Sequence, residues 1–112
     1  MDPRLQRGTK FSVTATHATS AVASQTGVAG TKYYITDISG SSDKAGALLL
    51  VKEGTTIIWQ SQLASTAAGM NAYEHTFSTP LESAVGALVS VTVDGTAVCH
   101  ANIAGVGLPT LG

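Results

Sequence analysis

Residues 87–103 read ALVSVTVDGTAVCHANI. Val89, Val91 and Val93 alternate with Ser90 and Thr92, the period-two pattern of a strand with one face buried. Asp94-Gly95 then supplies a turn signal, and Thr96 to Ile103 continues the alternation. The segment predicts a β-hairpin closed by Asp94-Gly95.

The same period extends over the rest of the chain. Phe11, Val13 and Ala15 alternate with Ser12, Thr14 and Thr16 in a strand over Phe11–Thr19. Residues 20–31 read as an irregular connection with a short strand at Ala21–Ala23. Lys32–Ser39 is a strand with Tyr33 and Ile35 on one face and Tyr34, Thr36 and Ile38 on the other. Gly40-Ser41-Ser42-Asp43 reads as the turn that ends it. Ala45–Glu53 and Thr55–Leu63 form a second hairpin about Glu53-Gly54. Residues 64–72 read as a loop, and Tyr73–Phe77 as a short strand. Pro80 is expected in a turn, because proline cannot sit in a central strand. Gly105, Gly107 and Pro109 mark an irregular tail.

Seven or eight short strands about ten residues apart, with no helical pattern, predict an all-β antiparallel β-sandwich. With no helix to cover a sheet, sheet must cover sheet. An immunoglobulin-type pattern is missing, since Trp59 is accompanied by a single cysteine. A jelly-roll-like sandwich is therefore expected. Residues 1–30 are read as an extended N-terminal arm with the first strand, and residues 31–112 as the sandwich body.

Composition separates function classes. Charged residues are 12% of the 112, about half the usual share. Their place is taken by 15 Thr, 11 Ser, 16 Ala and 12 Gly. Such a surface desolvates easily against a neighbour, and self-association is expected. A net charge of −1 argues against nucleic-acid binding. The first ten residues are locally basic through Arg4, Arg7 and Lys10, and an arm of that charge suits an acidic partner. No apolar run has the length of a signal peptide or a membrane helix.

Chemistry is sparse. His17, His75 and His100 show no ligand spacing, so no metal or cofactor is expected. Cys99 and His100 are neighbours on a strand, which turns them to opposite faces and bars a nucleophile–base pair. Cys99 reads as a small core residue. Asp43, Glu53 and Asp94 sit at turn signals. No catalytic residue is assigned, and an enzyme is not expected. Trp59, Tyr33, Tyr34 and Tyr73 offer rings for a sugar platform, although Trp59 is read first as a core or interface anchor. Leu48-Leu49-Leu50 is apolar on both faces of its strand. One of Leu48 and Leu50 is expected to meet the core and the other a partner. The candidate interface residues are Arg4, Arg7, Phe11, Val13, Leu48, Leu50 and Trp59.

Residues 32–108 also carry a resemblance. Ile38-Ser39, Lys52-Glu53-Gly54, Phe77-Ser78-Thr79-Pro80-Leu81 and the glycine-rich last strand resemble a recurrent type of small structural protein of tailed bacteriophages. The resemblance implies a jelly-roll sandwich, often trimeric, on the virion surface and assembled in the host cytoplasm. The most specific role it implies is a capsid decoration (cement) protein that binds and stabilises the major capsid protein shell. A tail, collar or fibre component and a carbohydrate-binding host-recognition module are the alternatives.

Overall fold

The computed structural model describes residues 8–63 and 71–109. It is all-β: two antiparallel four-stranded sheets face each other, with no helix among the described residues. The strands are β1 (Thr9–His17), β2 (Ser20–Gln25), β3 (Thr31–Ser42), β4 (Leu48–Glu53), β5 (Thr56–Gln62), β6 (Asn71–Glu82), β7 (Val89–Asp94) and β8 (Cys99–Pro109). The first sheet has the order β1-β8-β3-β6 and the second β2-β7-β4-β5.

Four nested antiparallel pairs generate this order: β1 with β8, β2 with β7, β3 with β6 and β4 with β5. Pairing of β3 with β8 and of β4 with β7 then joins them into the two sheets. The expected hairpin about Glu53-Gly54 forms, with Glu53 opposite Thr56 and Gly54 at a φ of 60°.

The Asp94-Gly95 hairpin does not form. β7 lies between β2 and β4, whereas β8 lies between β1 and β3 in the other sheet. Residues 95–98 carry the chain across the sandwich. Both strands are buried on one face, and a central place gives each two ladders instead of the single one a hairpin at a sheet edge would give. Asp43 holds the crossing. Its Oδ1 accepts from the backbone N–H of Thr96 (2.8 Å) and its Oδ2 from that of Ala97 (2.9 Å). Buried Ser42 adds a second tie by donating its hydroxyl to the Asp94 carbonyl.

β3 corrects two further expectations. It runs on through Gly40 and Ser41 to Ser42, where a turn was expected. Gly40 is inside the strand because the opposite sheet crosses closely there. A Cβ on Gly40 would lie 2.7 Å from Val93 Cγ2 and 3.0 Å from Leu49 Cδ1. Ile38 also turns inward beside Ile35, because the register shifts between Ile35 and Asp37 against both neighbouring strands. Such a bulge reverses the alternation beyond it.

β6 passes through Pro80 without turning. Asp37 pairs with Thr76 and Ile35 with Leu81, so residues 77–80 bulge from the ladder at a sheet edge. A proline there removes no ladder hydrogen bond. The expected glycine-rich tail is likewise strand: Gly105 pairs with Phe11 and Ile35, and Gly107 with Thr9 and Tyr33. A Cβ on Gly105 would lie 2.2 Å from the Tyr34 carbonyl oxygen and 2.9 Å from the Phe11 ring, so the glycine lets β8 pass the bulge in β3 and the ring beside it.

The core lies between the inner faces. Leu49, Val51, Val89, Val91 and Val93 come from one sheet, and Ile35, Ile38, Cys99, Ala101 and Ile103 from the other. From Thr9 onward the expected arm is part of the sheets, as β1 pairs along its whole length and β2 along β7. Residues 1–7, and with them Arg4 and Arg7, lie outside the described residues.

Gly40→Val is expected to lower unfolding stability by about 1–3 kcal/mol or more through overpacking, read by chemical denaturation. An unchanged midpoint would contradict the close approach. The backbone N–H groups of Thr96 and Ala97 hold the exposed Asp43 carboxyl below its ordinary value of 3.8. A lowered folded pKa means that the clamp is fully present above pH 3.8 and is lost as the pH falls through the lowered value. Asp43→Ala is therefore expected to reduce stability at neutral pH and to flatten its fall on acidification, measured by denaturant unfolding at pH 7 and across the acid range.

Candidate interaction surface

In a strand, residues directly opposite one another share a face. Leu49, Val51, Val91 and Val93 point inward, so Leu48, Leu50, Thr92 and Asp94 point outward. Leu50 stands opposite Thr92 and Gln60, and Thr92 stands opposite Val22. One row, Val22–Thr92–Leu50–Gln60, thus crosses the outer face of the second sheet. Leu48 and Gln62 lie to one side of it. Ser24, Ser90, Lys52 and Ile57 lie to the other.

Four of these eleven outward positions are aliphatic, set among polar ones. Val22 is 50% exposed, Leu48 43% and Ile57 48%, with Leu50 half-buried among them. Among the outward strand positions just placed, Lys52 and Asp94 carry the charge. Solvated β-sheet faces ordinarily alternate apolar inward with polar outward. Four branched aliphatic side chains on the outer face of one sheet depart from that alternation and make this face a candidate docking surface.

The outer face of the first sheet is its opposite in character. The register builds rows Thr16–His100–Ser41–Ala72, Thr14–Asn102–Ser39–Glu74 and Ser12–Ala104–Asp37–Thr76. These side chains bind one another. Asn102 Nδ2 donates to Ser39 Oγ at 2.8 Å, Thr76 Oγ1 donates to Asp37 Oδ1 at 2.8 Å, and Thr16 Oγ1 lies 3.0 Å from His100 Nδ1. A shallow depression of about 500 Å³ opens beside Ser39, Ser41, Glu74 and Asn102.

The candidate interface residues separate into groups. Leu48 and Leu50 lie together on the outer face. Both face outward, because residues two apart in a strand share a side; the core leucine of the run is Leu49. Phe11 and Val13 turn inward and pack on the core, with Phe11 edge-on to Tyr33 at 5.2 Å. Trp59 is half-buried on β5. Its ring lies 5.5 Å from Phe77, 5.2 Å from His75 and 6.1 Å from Tyr73, bridging the edge strands β5 and β6. Val22 and Ile57 were not anticipated. The signal for Val22 was the run Ala21-Val22-Ala23, where a close sheet approach selects the alanines for the inner face and leaves valine outside.

The four rings of the expected sugar platform do not share a surface. Tyr33 is buried, with its hydroxyl donating to the Thr26 carbonyl at 2.6 Å. Tyr34, next along β3, faces outward and lies under Lys32 Nζ. Trp59 and Tyr73 close the β5–β6 side. His17 and His100 take local partners: His17 Nδ1 accepts from the backbone N–H of Thr19 at 3.1 Å, which fixes the β1–β2 turn. Cys99 is buried and opposite in facing to His100. Among the described residues no three His, Cys, Asp or Glu side chains gather as a metal site.

No family model matches the chain, and no curated protein matches it. Three solved structures contain stretches similar to it. One is the insecticidal delta-endotoxin Cry8Ea1 from Bacillus thuringiensis, at 15% identity and a TM-score of 0.43, over 93% of this chain and 20% of that one. Another is dimeric latent PorU from Porphyromonas gingivalis, at 10% identity and a TM-score of 0.42, over 86% of this chain and 13% of that one. The third is a cyclase from Fischerella sp. TAU, at 12% identity and a TM-score of 0.34, over 84% of this chain and 59% of that one. The chain spans a fifth or less of the first two, and likeness at this level assigns no role to any residue.

Leu49→Ala is expected to cost about 2–5 kcal/mol of stability. Leu50→Asp, one residue away, is expected to change it by less than about 1 kcal/mol. Thermal unfolding of both variants checks the assignment. A Leu50→Asp chain that fails to fold would place Leu50 in the core instead.

Proposed function

We propose that this protein is a structural component of a virion, and specifically a capsid decoration protein of jelly-roll type. It would act by docking to the major capsid protein shell and to other copies of itself. The observation that carries the reading is the exposed aliphatic face of Val22, Leu48, Leu50 and Ile57 on a sheet whose other side already covers the core. A face of this kind is stable in water only at a cost, and covering it with protein removes that cost.

Two further features support the reading. The nested strand pairing, with orders β1-β8-β3-β6 and β2-β7-β4-β5, supports reading the sandwich as an eight-stranded jelly roll, an architecture of viral capsid and lectin domains. The low charge lets large areas desolvate cheaply, as assembly requires. Arg4 and Arg7 belong to the segment proposed to reach an acidic patch on the shell. The tail, collar or fibre role calls on the same surfaces and differs only in the partner.

Co-sedimentation with capsids lacking decoration tests the role. Saturable pelleting of the wild-type protein is expected, with loss of pelleting at least tenfold for the folded Leu48→Asp, Leu50→Asp double variant. A wild-type protein that stays in the supernatant at saturating capsid would end the decoration reading.

A further inference from the structure

We propose that the aliphatic outer face of the second sheet pairs with the same face of a second copy, about a twofold axis running along the row Val22–Thr92–Leu50–Gln60. The pairing rests on reading this face as a docking surface, and it names the occupant.

The charges identify it. Lys52 stands level with Ser90, and Asp94 lies four residues farther along β7. Four residues of strand span about 13 Å, too far for the two to pair within one chain. Among the described residues neither takes part in an ion pair; the one found there joins Lys32 to Glu82. The face therefore has a positive end and a negative end with an aliphatic middle.

Leu50 and Thr92 stand halfway between those ends. A twofold axis along their row, in the plane between two stacked copies, reverses the strand direction and keeps the lateral order of the strands. It seats Leu50 on Leu50 of the second copy. It also brings Lys52 to the level of the second copy's Asp94, offset by one strand spacing of about 4.8 Å, a gap that a lysine side chain spans. The symmetry forms this ion pair twice. Leu48 then covers the aliphatic stem of Lys52 on the opposite copy.

A face meets itself only in an isologous contact, and such a contact is twofold. A threefold assembly would need two different patches. The footprint is four strands by about five residues, roughly 300 Å² per copy, well below the roughly 800 Å² per partner of a standard interface, so the pairing is a weak one. The dimer is accordingly expected to be concentration-dependent.

Light scattering across a concentration series tests this. The expected mass rises toward twice the 11.3 kDa of the chain. Lys52→Glu and Asp94→Lys, each alone, are expected to weaken dimerisation by about tenfold or more, because each sets like charges together twice. The double variant Lys52→Glu, Asp94→Lys is expected to restore the dimer. Both substitutions are on the outer face, and circular dichroism verifies that all three variants fold. A mass that stays at one chain, a mass of three chains, or a double variant no tighter than the single ones would overturn the pairing. The weak dimer covers the Leu48 and Leu50 face, which only chains released from it could offer a shell; wild-type co-sedimentation, Lys52→Glu co-sedimentation and solution mass are therefore scored separately, and the two readings fail separately.

Discussion

The distance between the two sheets at Gly40 sets the terms for the rest of the molecule. With no helix to cover either sheet among the described residues, each sheet is the other's only cover, and the inner faces must meet without voids. Where β3 passes under Val93 and Leu49 there is no room for a Cβ. Close approach explains the small residues that recur on the inner faces: Ala21 and Ala23 on β2, Ala101 and Cys99 on β8, and Gly105 beneath Phe11. Larger residues, Tyr33 and Trp59, sit nearer the flanks, where the sandwich has more room for a ring.

A sandwich of this wiring must move its chain repeatedly between sheets, and the crossings are held by short polar side chains rather than by disulfides. Asp43 and Ser42 secure the β7–β8 crossing. Ser83 accepts from the Tyr33 N–H with its hydroxyl while its own N–H donates to the Tyr33 carbonyl, which extends the ladder past the end of β6. A chain with one cysteine can be built this way because each tie satisfies backbone groups that would otherwise be left unpaired at a sheet end. These ties give serine and aspartate a structural reason to cluster at strand ends.

The class of fold and most of the strands were legible, because β-strand alternation is a local property. Val89–Val93 and the β4–β5 hairpin follow from the order of side chains alone. What was not legible depends on partners far away in sequence. Asp94-Gly95 is a good turn dipeptide in any context, yet whether it closes a hairpin depends on whether β7 and β8 each find two better neighbours. Ile38 faces inward only because of the bulge after Ile35. Gly40 and Pro80 signal turns locally, but a tight crossing and a free edge admit them within strands. Of the candidate interface residues, Leu48 and Leu50 were found by their apolarity on both faces of β4. Phe11 and Val13 share a face by alternation, but alternation does not say which face is the core, and the fold turns both inward.

The two outer faces show how one uncharged composition yields two different surfaces. On the first sheet, Ser39, Asn102, Asp37 and Thr76 bind one another across strands, so their polarity is partly spent within the protein. Water can still solvate that face without further help. On the second sheet, Val22, Leu48, Leu50 and Ile57 have no such recourse, since an aliphatic group has nothing to offer water. The first face also carries more charge, with Lys32, Asp37, Glu74 and Glu82 against Lys52 and Asp94 on the second. One composition thus resolves, once folded, into a hydrogen-bonded polar face and a face that carries four outward aliphatic side chains. The asymmetry follows from a phase relation set at the hairpin. With Leu49 and Val51 fixed inward by the close sheet approach, the leucines on either side of Leu49 have nowhere to go but out.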